Sequence, residues 1–170
     1  DGTGTMIRDA TLNDAAKIVD IYNHYISDSV VTFEQETISA DIMQERISKV
    51  LDSKLPWLVA EEDSNIIGYC YATPWKERSA YRFSVEATVY LHPQVKGRGW
   101  GSQLYQSLFE QLKHKQIHAV MGGITLPNEA SIKLHEKFGM KKVAHFEQVG
   151  FKFDRWVDVG YWQKIFANVE

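Results

Sequence analysis

The clearest periodic stretch runs from Ser84 to Lys113. Val85, Ala87, Val89 and Leu91 alternate with Glu86, Thr88 and Tyr90, the period of two expected of a strand with one apolar face. His92-Pro93 should end that strand, because proline offers the ladder no donor. Gly97, Gly99 and Gly101 then alternate with Arg98 and Trp100, and the period changes to that of a helix. Leu104, Leu108, Phe109 and Leu112 recur on one side of it, which predicts a helix over Ser102–Lys115.

The same reading extends along the chain. Ile7–Ala10 is a short strand, and Thr11 with Asp14 has the spacing of a capping box. Ala15, Ile18, Ile21, Tyr22, Tyr25 and Ile26 mark a first helical face. Ser27–Thr37 is a loop holding Phe33 and Glu34, and Ser39 caps a second helix bearing Ile42, Met43, Ile47, Val50 and Leu51. Trp57–Glu61 and Ile66–Thr73 form a hairpin around Asp63-Ser64-Asn65, and Pro74–Tyr81 leads into the central strand. His118–Thr125 is a fifth strand, expected to break at Gly122-Gly123. A helix opened by Pro127-Asn128 stops at Gly139, and Val143–Phe153 and Trp156–Phe166 are the last two strands. The order β-α-α-β-β-β-α-β-α-β-β predicts an α+β fold, a mixed and mostly antiparallel sheet with helices on both faces.

With 170 residues, 44% of them hydrophobic and 24% charged, the chain suits one ordinary soluble domain. A net charge of −3 gives no reason to expect a nucleic-acid or acidic-membrane partner, and no apolar run approaches a membrane span. The single cysteine, Cys70, excludes an internal disulfide and favours a reducing compartment, the cytoplasm. Residues 1–5 read as a cloning remnant ahead of Met6, residues 6–166 as the domain, and 167–170 as a tail.

A glycine-rich turn feeding a helix presents unpaired N–H groups beside the positive end of the helix dipole, which suits a pyrophosphate. The dinucleotide fingerprint G-x-G-x-x-G does not match, and no lysine follows Gly101 as an ATP-type loop requires. Lys96-Gly97-Arg98-Gly99-Trp100-Gly101 instead resembles the [QR]-x-x-G-x-[GA] acyl-coenzyme A loop of the GNAT acetyltransferases, with lysine at its first position. His114 and His118 stand four apart with no third ligand nearby, so no metal is expected. Cys70, among Tyr69, Tyr71 and Ala72, reads as core.

More specific runs sharpen the resemblance. Trp75–Tyr81, Val85–Leu91, Leu126-Pro127-Asn128, Leu134-His135-Glu136 and the late Val149–Lys152, Arg155-Trp156 and Asp158-Val159 are similar to the phosphinothricin and methionine sulfone (sulfoximine) acetyltransferase family. The likeness covers Met6 to Phe166. It implies the GNAT fold, a homodimer, and direct acetyl transfer from acetyl-CoA to the α-amine of a small amino-acid analogue. It implies that Glu86 is the general base and that His135, where many superfamily members have tyrosine, is an acid or a coenzyme contact. It places Val89, Tyr90, Leu91, Lys96, Gly97, Arg98, Gly99, Trp100, Gly101 and Asn128 on the coenzyme. Lys76, Glu77, Arg78, Ala87, Thr88 and Phe33 would face the acceptor. By their residues alone, Glu86 could be a solvated strand glutamate, His135 a surface histidine, Asn128 a plain N-cap, and Lys76 and Arg78 solvated loop charges. Two other functions compete: a GNAT enzyme for protein N-termini or another small amine, and a non-catalytic acyl-CoA-binding module.

Overall fold

The computed structural model describes residues 4–167. Residues 1–3 of the expected cloning remnant and 168–170 of the expected tail lie outside the described residues. Gly4 and Thr5 do not. Thr5 pairs with Glu62 in the first ladder, and the Gly4 carbonyl accepts from the Asp63 N–H at 3.1 Å just beyond its end.

In chain order the elements are β1 (Thr5–Asp9), α1 (Ala15–Asp28), α2 (Ala40–Asp52), β2 (Trp57–Glu62), β3 (Asn65–Pro74) and β4 (Ser84–Leu91). They continue with α3 (Trp100–His114), β5 (Ala119–Leu126), α4 (Glu129–Lys137), β6 (Lys141–Lys152) and β7 (Arg155–Ile165). This is the order the periodicities predict, with ends displaced by one or two residues. The Thr11–Asp14 box forms over a short 3₁₀ turn, Leu12–Asp14, that precedes α1. Arg8 also reaches Asp14, at 2.8 and 2.9 Å, and that guanidinium holds the carboxyl below its ordinary value. None of the described helices is long and apolar enough to cross a membrane.

The seven strands form one sheet in the order β1-β2-β3-β4-β5-β7-β6, antiparallel everywhere except between β4 and β5. Strand alternation sorts the core into two layers. On one face Trp57, Tyr69 and Tyr71 stack, with Trp57 and Tyr71 centroids 4.1 Å apart, and Tyr22 and Tyr25 of α1 pack on Tyr90. On the other, Leu104, Tyr105, Leu108 and Leu112 of α3 are fully buried over Cys70 and its neighbours. Each such leucine contributes roughly 1.5–3 kcal/mol through burial. Cys70 is wholly enclosed, and burial pushes its thiol pKa up, consistent with a core residue.

The sheet is not uniformly closed. β4 and β5 pair only at Ser84↔Ala119, Val85↔Val120 and Glu86↔Met121, although β4 runs on to Leu91 and β5 to Leu126. Beyond Glu86 and Met121 the two strands separate. The break expected at Gly122-Gly123 is therefore a correction: β5 itself is continuous and pairs with β7 from Ala119↔Ile165 to Leu126↔Asp158. What stops at Gly122 is only its pairing with β4, because a missing side chain does not interrupt a backbone ladder.

Candidate active site

The gap between β4 and β5 opens into a cavity of about 450 Å³. Ala87 to Leu91 form one wall, Gly123 to Thr125 the other, and Lys96, Gly97, Gly99 and Gly101 the mouth. Asn128, Leu134 and His135 of the α4 region close the far side, with Tyr105 of α3. Of the residues expected on the coenzyme, Val89, Tyr90, Leu91, Lys96, Gly97, Gly99, Gly101 and Asn128 come together here. Arg98 and Trp100 do not: Arg98 turns out to Glu62, with Nη2 3.1 and 3.2 Å from its oxygens, and Trp100 is buried in the core. The alternation that brings the glycines to the mouth points the intervening side chains elsewhere. Ala87 and Thr88, expected on the acceptor, line this same gap.

The three loop glycines answer to different constraints. Gly97 and Gly99 have φ of 82° and 84°, a region that costs an L side chain about 1–2 kcal/mol. Gly99 is also the N-cap of α3 and lends it no side chain, so the first N–H groups of the helix stay available to an anion. Gly101 instead allows α3 and α4 to pack: a Cβ there would stand 3.2 Å from Leu134 Cδ2. Lys96 adds a positive charge, its Nζ lying 5.0 Å from the Tyr25 ring centroid. Free N–H donors, positive φ and a lysine at one helix start fit a pyrophosphate, and the diverging strands leave backbone edges to meet an extended arm.

Asn128 caps α4, its Oδ1 accepting from Ser131 N–H at 3.1 Å, which places the helix and thereby His135. His135 is buried rather than on the surface. Its Nδ1 lies 2.7 Å from the Ser131 carbonyl, an acceptor only, so Nδ1 carries a proton. Nε2 lies 3.2 Å from the Tyr105 hydroxyl, which donates to it. Burial lowers the imidazole pKa. A neutral ring with its free lone pair already engaged has no proton to give at Nε2. Gly122 makes room for it, since a Cβ there would stand 2.7 and 2.8 Å from His135 Cδ2 and Nε2.

Glu86 lies at the last β4–β5 pair, half-buried on the aromatic face, and lines neither this cavity nor a second one. Burial raises its pKa above the ordinary carboxylate value, and the Lys76 cation opposes that rise. The second cavity, about 440 Å³, lies between α2 and the β2–β3 hairpin and includes Trp57, Tyr71, Trp75, Lys76 and Glu77. Lys76 is close enough to act on the Glu86 carboxylate, and Thr73, the partner of Glu86 on β3, lines this second cavity with Lys76 and Glu77. Arg78 does not; it is exposed and begins the 3₁₀ turn Ser79–Tyr81. Phe33 packs on β6, filling the space where a Gly150 side chain would be. Its loop is held by Lys152, whose Nζ donates to the Thr32 carbonyl at 2.8 Å, and by Glu34, bound twice by Arg46 at 2.7 and 2.9 Å. Tyr105, Lys152 and the Glu34–Arg46 pair escaped sequence reasoning, because no local pattern announces partners 30, 120 and 12 residues apart.

A loop of this shape beside a split parallel strand pair has known counterparts. The model of the acetyltransferase (GNAT) domain matches residues 7–160. The chain belongs to the GNAT acetyltransferases. It is 39% identical over 160 residues to a phosphinothricin N-acetyltransferase of Streptomyces viridochromogenes, spanning 94% of this chain and 87% of that protein. It is 34% identical to the L-methionine sulfoximine/L-methionine sulfone acetyltransferase of Salmonella typhimurium, over 92% of each. Among solved structures, a GNAT phosphinothricin acetyltransferase from Sinorhizobium meliloti in complex with AcCoA superposes with a TM-score of 0.91 at 31% identity. That superposition covers 95% of this chain and 88% of the other. This protein is an N-acetyltransferase that uses acetyl-CoA, and the non-catalytic binding module is set aside.

Proposed function

We propose that this acetyltransferase moves an acetyl group directly from acetyl-CoA to the α-amine of a small amino-acid-like acceptor, of the phosphinothricin, methionine sulfone or methionine sulfoximine type. The observation that carries the reading is Glu86, a carboxylate made more basic by burial, at the residue where β4 and β5 part. An α-ammonium, with pKa near ~8 at a peptide terminus and higher beside a free carboxylate, must lose its proton to attack, and a base with a raised pKa serves that step better than an ordinary carboxylate. Glu86 first passes the ammonium proton to solvent; the neutral amine then attacks, and Glu86 takes the proton that the new C–N bond makes acidic as the C–S bond breaks and the coenzyme leaves as a thiolate. Main-chain N–H groups of Val89 to Leu91, lining the gap, stabilise the developing oxyanion. His135 holds the Tyr105 hydroxyl in place rather than acting as the acid. Lys76, the cation that opposes Glu86, receives the acceptor's carboxylate, and Glu77, Thr88 and Phe33 border the approach.

The enzyme acts in the cytoplasm as a homodimer in this reading. β6 ends the sheet, and Val143, Phe146, Val149, Phe151 and Trp156 on β6 and β7 are each about half or more exposed, an apolar edge suited to a second copy.

Thiol release from acetyl-CoA, followed across amino-acid analogues, polyamines and peptides, tests the activity. Turnover is expected with methionine sulfone, methionine sulfoximine and phosphinothricin, and little with their decarboxylated forms. Equal turnover of polyamines or peptide N-termini would replace this reading with the broader small-amine or N-terminal one.

A further inference from the structure

Gly123 follows the last β4–β5 pair by two residues and faces Tyr161 of β7 in the ladder. The phenol of Tyr161 lies across it. A Cβ on Gly123 would stand 3.1 Å from Tyr161 Cε1 and Cζ and 3.3 Å from the hydroxyl oxygen. The hydroxyl end of the ring therefore rests over β5, between β7 and the parting strands. Register places the side chain on the same face as Glu86, because Glu86 pairs with Met121, and Met121 and Gly123 share one side of β5. Trp75 braces the ring edge-on, with centroids 5.7 Å apart. The hydroxyl has no hydrogen-bond partner among the described residues, while the ring is half-buried. Glu86 and Tyr161 also sense each other electrically: the carboxylate raises the phenol pKa, after burial the second cause.

We infer that Tyr161 is a second acceptor-contacting residue, whose hydroxyl oxygen accepts one N–H of the incoming neutral amine while the Glu86 carboxylate accepts the other and takes its proton as the C–N bond forms. A neutral primary amine has two N–H bonds and one lone pair. Fixing both N–H bonds over the Gly123 backbone turns the lone pair down into the gap, where the thioester carbonyl lies in the proposed reaction. A carboxylate alone fixes one N–H and leaves the amine free to rotate about it. The phenol keeps its own proton, since its pKa is raised, so it orients the amine without competing for the proton that Glu86 removes. This rests on Glu86 as the base, but not on which amine is the acceptor.

Tyr161→Phe keeps the ring over Gly123 and removes only the hydroxyl. With the best amine of the panel, kcat/KM should fall by ~10-fold, the loss of about one hydrogen bond. Acetyl-CoA affinity and Tm should match wild type. An unchanged kcat/KM in Tyr161→Phe, alongside a large loss in Glu86→Gln, would overturn the inference and leave the proposed function standing. A fall in rate together with weakened acetyl-CoA binding and a lowered Tm would also overturn it, because the hydroxyl would then be structural. If Glu86→Gln is as active as wild type, the base assignment fails and this inference falls with it, whatever Tyr161→Phe does.

Discussion

The Tyr105 hydroxyl donates to His135 Nε2 across 3.2 Å, joining α3 to α4 beside the gap between β4 and β5. Neither residue is exposed, and both depend on the empty space at Gly122 and on the Ser131 carbonyl that orients the imidazole. Tyr105→Phe leaves a buried ring nitrogen without a donor and should cost ~1–3 kcal/mol of unfolding free energy. Chemical denaturation of the variant checks this.

His135 also sets a pH dependence. Its folded pKa is depressed by burial below the ordinary 6.5, so the unfolded chain binds the proton more readily. Its contribution is fully present above pH 6.5 and is lost as the pH falls below that toward the folded value. Wild type should therefore lose more stability than His135→Gln between pH 7.5 and pH 5.5. Parallel urea titrations at the two pH values measure the difference, and equal losses would contradict a buried neutral imidazole.

The loop glycines should fail in distinguishable ways. Gly99→Val forces a β-branched residue to φ near 84° and should weaken acetyl-CoA binding through the helix start. Gly101→Val pushes on Leu134, and its penalty of ~1–3 kcal/mol should appear mainly in Tm. Calorimetric acetyl-CoA titration and a thermal melt on each variant separate the two.

Glu86→Gln keeps the shape of the carboxylate and loses its basicity. Turnover should drop by ~10²–10⁴-fold with acetyl-CoA affinity unchanged. Because burial raises the Glu86 pKa, the acid limb of the wild-type kcat/KM profile should lie above the ordinary carboxylate range and vanish in the variant. A limb at the usual value would contradict the buried base.

Lys152 fastens the loop that carries Phe33 to β6. Lys152→Met should release it, raising KM for the amine while the acetyl-CoA Kd holds, since the Lys152 ammonium bonds to Thr32, which does not line the gap between β4 and β5. Initial-rate kinetics with each substrate varied in turn would show whether the two parameters separate.

Local pattern was enough for the order of eleven helices and strands, for the glycine loop before α3 and for the Asn128 cap. Those features depend on alternation, helix caps and φ preferences, which neighbouring residues express by themselves. It was also enough to mark Glu86 and His135 as unusual, because the runs around them resemble a family. Tertiary structure alone decided the rest. It turned Arg98 and Trp100 away from the gap, since the side chains between the glycines pack against Glu62 and the core. It made β5 continuous and moved the break to the β4–β5 seam, because pairing is a property of two strands and not of one. It committed the His135 lone pair to Tyr105, and it laid Tyr161 over Gly123 on the Glu86 side. Each of these rests on contacts between residues distant in sequence, which hydrophobic periodicity cannot encode because it records only which face a residue occupies, never what lies opposite.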